Sequence, residues 1–221
     1  MKNLIVLITF LITFLGFAQL PKGFVYVNDI VPSIHVELRY FSDQNFLGAK
    51  VDSYNREVAI LTKQAALALK NVQNELLTYN LSIKIFDSYR PQSAVDHFVR
   101  WARELNDTVN KSQNYPDVKK QHLFKEGYIA SQSGHSRGST LDITIVDLET
   151  GKELDMGSPY DFFGGESWVD YKDITAQQLA NRMLLQQLMI KHGFRNYAKE
   201  WWHFTLKGEP FPDTYFDFPV D

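Results

Sequence analysis

Two segments that lie far apart along this chain limit its fold more than anything else in it. They are Ser133-Gly134-His135-Ser136-Arg137-Gly138-Ser139-Thr140-Leu141-Asp142 and Glu200-Trp201-Trp202-His203. Together they carry two imidazoles and two carboxylates. A catalytic zinc takes three protein ligands such as two histidines and a carboxylate, keeps a fourth position open for water, and works beside a base. A fold that uses the residues this way must bring the segments together. One carboxylate is then a ligand and the other is free to act as the base, a set that suits metal-dependent hydrolysis.

The four residues carry different weight. His135 sits in a Ser/Gly/Arg-rich loop, where a lone histidine is ordinarily solvated or bonded locally. Asp142 lies inside a strongly β-forming run, where aspartate is disfavoured and costly to bury unless it is paired or metal-bound. Glu200 and His203 are three apart, so a regular strand would point them to opposite faces. If both serve one metal, Glu200 is expected on the turn before the strand. At least one of Trp201 and Trp202 reads as core, and His35, His97, His122 and His192 as structural or surface residues.

Composition narrows the chemistry. The 221 residues contain no cysteine, so ligands come from His, Asp and Glu, and neither disulfides nor a thiol nucleophile are available. At 44% hydrophobic the chain can bury one core. A net charge of -3 gives no basic footprint for nucleic acid or anionic membranes, which leaves a small substrate as the natural partner. No motif specifies an oligomer.

The first residues read as a leader. Lys2 is a short positive region, Leu4 to Phe17 is a nearly unbroken apolar run, and Gly16-Phe17-Ala18 is a small-x-small cleavage site. The run is shorter than the roughly 20 residues a spanning helix needs. Residues 1–18 are therefore expected to be a signal peptide and 19–221 one catalytic domain, exported to the periplasm or secreted without stable membrane insertion.

Along the rest of the chain, Val58, Leu61, Ala65, Leu69, Val72 and Leu76 form the stripe of one amphipathic helix. Leu81, Ile83 and Ile85 alternate as a strand ending at Asp87-Ser88-Tyr89-Arg90-Pro91, which puts Arg90 at a strand end. Ser93 and Asp96 resemble a capping box for the next helix. Residues 106–127 read as an irregular surface excursion. Thr140 to Asp147 alternates again, with Asp142 on its less apolar face. Thr175 with Gln178 opens a last helix that closes at His192-Gly193, and Trp201 to Leu206 forms a final strand. The pattern predicts an α+β domain with helices packed on a mainly antiparallel sheet.

Four motifs in this order carry a family resemblance: Ser133-x-His135-x-x-Gly138-x-x-x-Asp142, Glu200-x-Trp202-His203, Asp87-x-Tyr89-Arg90-Pro91 and Met156-Gly157-Ser158-x-x-Asp161. With Arg39-Tyr40, Asn45-Phe46-x-Gly48 and the tail Pro212-Asp213-Thr214-Tyr215-Phe216-Asp217-Phe218-Pro219, they resemble the zinc D-alanyl-D-alanine dipeptidases of the VanX type. The resemblance implies the compact fold these enzymes share with VanY-type D,D-carboxypeptidases and hedgehog domains. It implies one zinc per chain held by His135, Asp142 and His203, with Glu200 as catalytic base and Arg90 stabilising the transition state. It further implies Asp161 beside the substrate ammonium, and Ser133, Tyr40 and Tyr54 around the substrate. Thr140 and Ser158 depart from the family's usual smaller residue and threonine. The leader departs from the cytoplasmic resistance enzyme that typifies the family.

Three functions fit this set: hydrolysis of D-Ala-D-Ala, D,D-carboxypeptidase trimming of peptidoglycan stems, and a non-catalytic zinc-binding module. Asp161 argues for the first over the second, since a longer peptide would leave that charge unpaired. Glu200 with Arg90 argues against the third.

Overall fold

The computed structural model describes residues 20–221, so the expected leader lies outside the described residues. Strand β1 (Phe24–Tyr26) runs into the short helix α1 (Val27–Ile30), followed by β2 (His35–Val36) and β3 (Ile60–Thr62). Helix α2 (Lys63–Leu77), β4 (Leu81–Asp87) and α3 (Gln92–Arg103) come next, then the single-turn helices α4 (Lys111–Asn114) and α5 (Leu123–Glu126). The chain continues through β5 (Thr140–Asp147), α6 (Ala176–Lys191), β6 (Phe194–Tyr197) and β7 (Glu200–Leu206). Five strands form one sheet in the order β2-β4-β5-β7-β6, antiparallel except where β2 joins β4, and β1 pairs with β3 in a small second sheet. This is the expected α+β architecture.

Central β5 is buried on both faces from Thr140 to Val146, because strands flank it and helices and loops cover it. Gln73 of α2 reaches the sheet, accepting from Ile83 N at 2.8 Å and donating to Ser82 Oγ at 2.9 Å. Thr175 opens α6 with the expected capping box, and Gly193 beyond its end adopts φ 94°.

Four local expectations need correction. The stripe that begins at Val58 is not all helix: Thr62 caps α2 by accepting from Ala65 N, and the three residues Ile60–Thr62 pair with β1 instead. Ser93 does not cap α3, whose N-cap is Pro91; the Ser93 hydroxyl meets Ser53 and its backbone N–H donates to Asp217. Residues 106–127 hold short helices and bury Tyr115, Val118, Lys120 and Leu123, so they are not a purely surface excursion. Glu200 is the first residue of β7 rather than part of a turn. Asn196 faces Phe204 while its neighbour Tyr197 faces Glu200, so residues 201–203 have no partner on β6 and strict alternation lapses there.

The C-terminal tail straps the loops that carry the site. Phe216 N donates to Ser136 O, Phe216 O accepts from Gln92 N, and Phe218 stacks on Tyr89 at 4.0 Å between ring centroids.

Candidate metal and catalytic site

Asp142 and His203 are direct cross-strand partners on β5 and β7, and Asp87 at the end of β4 faces Asp142 from the other side. His135 enters from a short helical turn, residues 134–137, that ends at Gly138 with φ 78°. A side chain at 138 would be strained there, and its Cβ would lie 2.2 Å from the Phe24 ring. Only glycine lets this turn close over β1.

His135 Nδ1 donates to the Ser88 carbonyl at 2.7 Å, which fixes the tautomer and leaves Nε2 free to act as a ligand. That Nε2 lies 3.4 Å from Asp142 Oδ1 and 3.4 Å from His203 Nδ1, and His203 Nδ1 lies 3.1 Å from the same Oδ1. The three candidate ligand atoms fall within 4.8 Å of one another. Asp142 Oδ1 is buried and faces both imidazoles without a properly aligned hydrogen bond. Leaving such an atom unpaired costs at least about 1–3 kcal/mol. A cation between the three residues removes that cost, so the donor set fits a metal on its own chemistry.

The carboxylates beside the imidazoles make this a place that draws positive charge. Burial pushes the Asp142 carboxyl up, but the facing His135 and His203 more than offset this and hold it far below the usual carboxylate range. Burial lowers the His203 imidazole, yet Asp142 and Glu200 outweigh it and lift its pKa to about 9. Glu200 Oε2 sits 3.2 Å from His203 Nδ1, and its side chain is 20% exposed, open to the cavity.

Arg90 is held from behind. Asp87 Oδ2 accepts from its Nε at 2.9 Å and its Nη2 at 2.7 Å, while Nη2 approaches Asp142 Oδ2 to 3.7 Å. The guanidinium also lies 5.0 Å from the ring centroids of both Tyr40 and Phe98. Asp161 lines the same cavity with φ 57°, a conformation that Asp tolerates better than most residues. The residue is 6% exposed, and its carboxyl accepts from Tyr40 Oη at 2.9 Å. Burial, and then the negative charge of Asp142, push its pKa well above the ordinary value.

The structure brings His135, Asp142, His203, Glu200, Arg90, Asp161, Ser133 and Tyr40 around one cavity of about 310 Å³. Ser133 Oγ also caps the His135 turn, accepting from His135 N at 3.2 Å. Tyr54 is placed differently: it is fully buried outside the cavity lining, where its hydroxyl donates to Asp87 Oδ1 at 2.6 Å. It supports the residue that holds Arg90 and does not line the cavity. His97 pairs with Asp52, His122 with Glu126 and His192 with Glu75, all outside that lining.

Sequence reasoning gave no role to three residues at this site. Asp87 stood in a quoted motif, and its only further signal was an acid three residues before Arg90. Tyr160, which donates to Asp142 Oδ2 at 3.2 Å, and Tyr197, whose ring lies 5.6 Å from that of His203, had no signal at all.

A family model described as D-ala-D-ala dipeptidase matches residues 21–221. A D-alanyl-D-alanine dipeptidase of Enterococcus faecalis is 40% identical over 201 residues, which cover 91% of this chain and all of that protein. One from Streptomyces coelicolor is 40% identical over 89% of this chain and 98% of its own. One from Escherichia coli is 31% identical over 80% of this chain and 81% of its own. A solved LdcB LD-carboxypeptidase aligns with 87% of this chain and 72% of its own at 19% identity and a TM-score of 0.43, a likeness too low to argue from.

Proposed function

Because the chain belongs to the D-Ala-D-Ala dipeptidase family of metallopeptidases, we propose that it hydrolyses D-Ala-D-Ala to two D-alanines and uses one zinc ion held by His135, Asp142 and His203. The observation that carries the reading is the convergence of His135 Nε2, His203 Nδ1 and the otherwise unpaired Asp142 Oδ1, with Glu200 on one side and Arg90 on the other.

Zinc, when bound, supplies a Lewis acid that lowers the pKa of water toward about 7 and polarises a carbonyl. The remaining work falls to the chain. Glu200 takes the proton of the attacking water and returns it to the departing amine. The Arg90 guanidinium offers donors to the oxygen that becomes negative in the tetrahedral intermediate. Its two bonds to Asp87 keep those donors in place, so little reorganisation accompanies the reaction.

Asp161, which lines the cavity, recognises the free α-ammonium. Tyr40 donates to Asp161 and supports its charged form when the ammonium arrives. An acylated amine, or a longer peptide, would bury that position without a counter-charge, which is the basis proposed for dipeptide selectivity. The leader reading of residues 1–18 extends the proposal to an exported enzyme beginning near Gln19. Among the described residues no helix is long and apolar enough to cross a membrane.

The decisive experiment compares D-Ala-D-Ala, its N-acetylated form and a stem pentapeptide ending in D-Ala-D-Ala. Cleavage of the free dipeptide alone is expected. Equal rates on the free and N-acetylated dipeptide would replace this reading with a D,D-carboxypeptidase.

A further inference from the structure

The two oxygens of Asp142 have different surroundings, and only one of them accepts a side-chain hydrogen bond. Oδ1 faces His135 and His203 and has no hydrogen bond. Oδ2 is held from the opposite side, with the Tyr160 hydroxyl donating to it at 3.2 Å and Arg90 Nη2 lying 3.7 Å away. The Tyr160 ring is itself wedged in place. It stacks on Phe86 of β4 at 4.6 Å and meets Trp202 of β7 edge-on at 5.4 Å, so both neighbours of β5 hold it. Its hydroxyl has one proton and two acceptors in reach, Asp142 Oδ2 and the Tyr40 oxygen at 3.3 Å. An ionised carboxylate is the stronger acceptor, so the proton goes to Asp142.

We propose that Tyr160 is a positioning residue for the metal site: its hydroxyl occupies Asp142 Oδ2, leaves Oδ1 alone turned toward the imidazoles, and makes Asp142 a one-oxygen ligand. The proposal rests on the reading of His135, Asp142 and His203 as the metal ligands. Groups that bond the outer side of a ligand fix its orientation and commonly change metal affinity by about 10- to 100-fold. Tyr160 directly precedes Asp161, so one loop serves the metal carboxylate and the ammonium site through adjacent residues. Tyr40, which donates to Asp161, is the competing acceptor for the Tyr160 proton.

The test measures zinc affinity by competition with a chromophoric chelator for the wild type, Tyr160→Phe and Tyr40→Phe, together with the visible spectrum of each cobalt-substituted protein. Tyr160→Phe keeps the ring and removes only the donor. It is expected to bind one zinc about 10- to 100-fold more weakly and to change the cobalt spectrum. Tyr40→Phe removes the competing acceptor and is expected to bind zinc at least as tightly as the wild type. Wild-type affinity and spectrum in Tyr160→Phe would overturn the proposal, as would an equal loss of affinity in both variants. If the metal-free Tyr160→Phe protein melts lower, its cobalt spectrum at saturating metal decides, and an unchanged spectrum overturns the proposal. A wild-type protein that takes up no zinc would instead fail the underlying metal reading.

Discussion

Replacing Asp161 with asparagine separates what this residue does for substrate from what it does to the fold. Asparagine is the appropriate change because it tolerates the left-handed backbone at φ 57° and can still accept from Tyr40, whereas alanine would add backbone strain of about 1 kcal/mol or more. The wild-type carboxyl is buried, and burial together with Asp142 raises its pKa well above the ordinary value. An unfolded aspartate titrates near about 3.9. Between that pH and the raised folded pKa, the folded chain holds a proton the unfolded chain has lost. Stability therefore falls as pH rises across this window, by up to about 1.4 kcal/mol per pH unit from this one group. Asparagine removes the effect. Urea unfolding of metal-free wild type and Asp161→Asn should show nearly equal stabilities close to pH 4 and a growing advantage for the variant toward neutral pH. Loss of the ammonium partner should cost about 2–5 kcal/mol in kcat/KM on D-Ala-D-Ala, roughly 30- to 4000-fold. A stability difference that does not change with pH would refute the argument that Asp161 is held protonated by burial.

Three further outcomes are expected. Glu200→Ala should keep its zinc in elemental analysis while turnover falls by about 100- to 10,000-fold, and loss of zinc would make Glu200 a ligand. Arg90→Lys should also retain zinc but lose about 100- to 1000-fold in kcat, since a lysine cannot reproduce the forked bonds to Asp87; a near-normal kcat would remove Arg90 from the transition state. N-terminal sequencing of the exported protein should begin near Gln19, and retention of Met1 would refute the leader.

What the sequence disclosed follows local chemistry. The alternation of Thr140–Asp147 and the Thr175–Gln178 box are written in neighbouring residues, and both elements formed where the pattern put them. The helix stripe misled at Val58 and Leu61 because their spacing continues the α2 pattern, while the pairing with Phe24–Tyr26 that makes Ile60–Thr62 a strand comes from a distant segment. Glu200 was misplaced for a similar reason: the lapse in pairing along β7 depends on β6 as well as on β7's own spacing. In the site, Ser133, His135, Asp142, Glu200, His203, Arg90, Asp161 and Tyr40, each in a short motif, converged on the cavity. Tyr160 and the support role of Tyr54 were invisible because each depends on a partner brought in by the fold, Asp142 for one and Asp87 for the other.

The pairing of Asp142 with His203 across β5 and β7 makes the site a check on assembly. Side chains on a strand alternate between faces, so a slip of one residue in this ladder would turn one of the two to the wrong side. Glu200 lies on the same strand as His203, so a chain in which β7 has not docked lacks the proposed ligand and the proposed base together. In the proposed reading, hydrolysis needs this strand in register as well as the metal, so displacing β7 alone would end it.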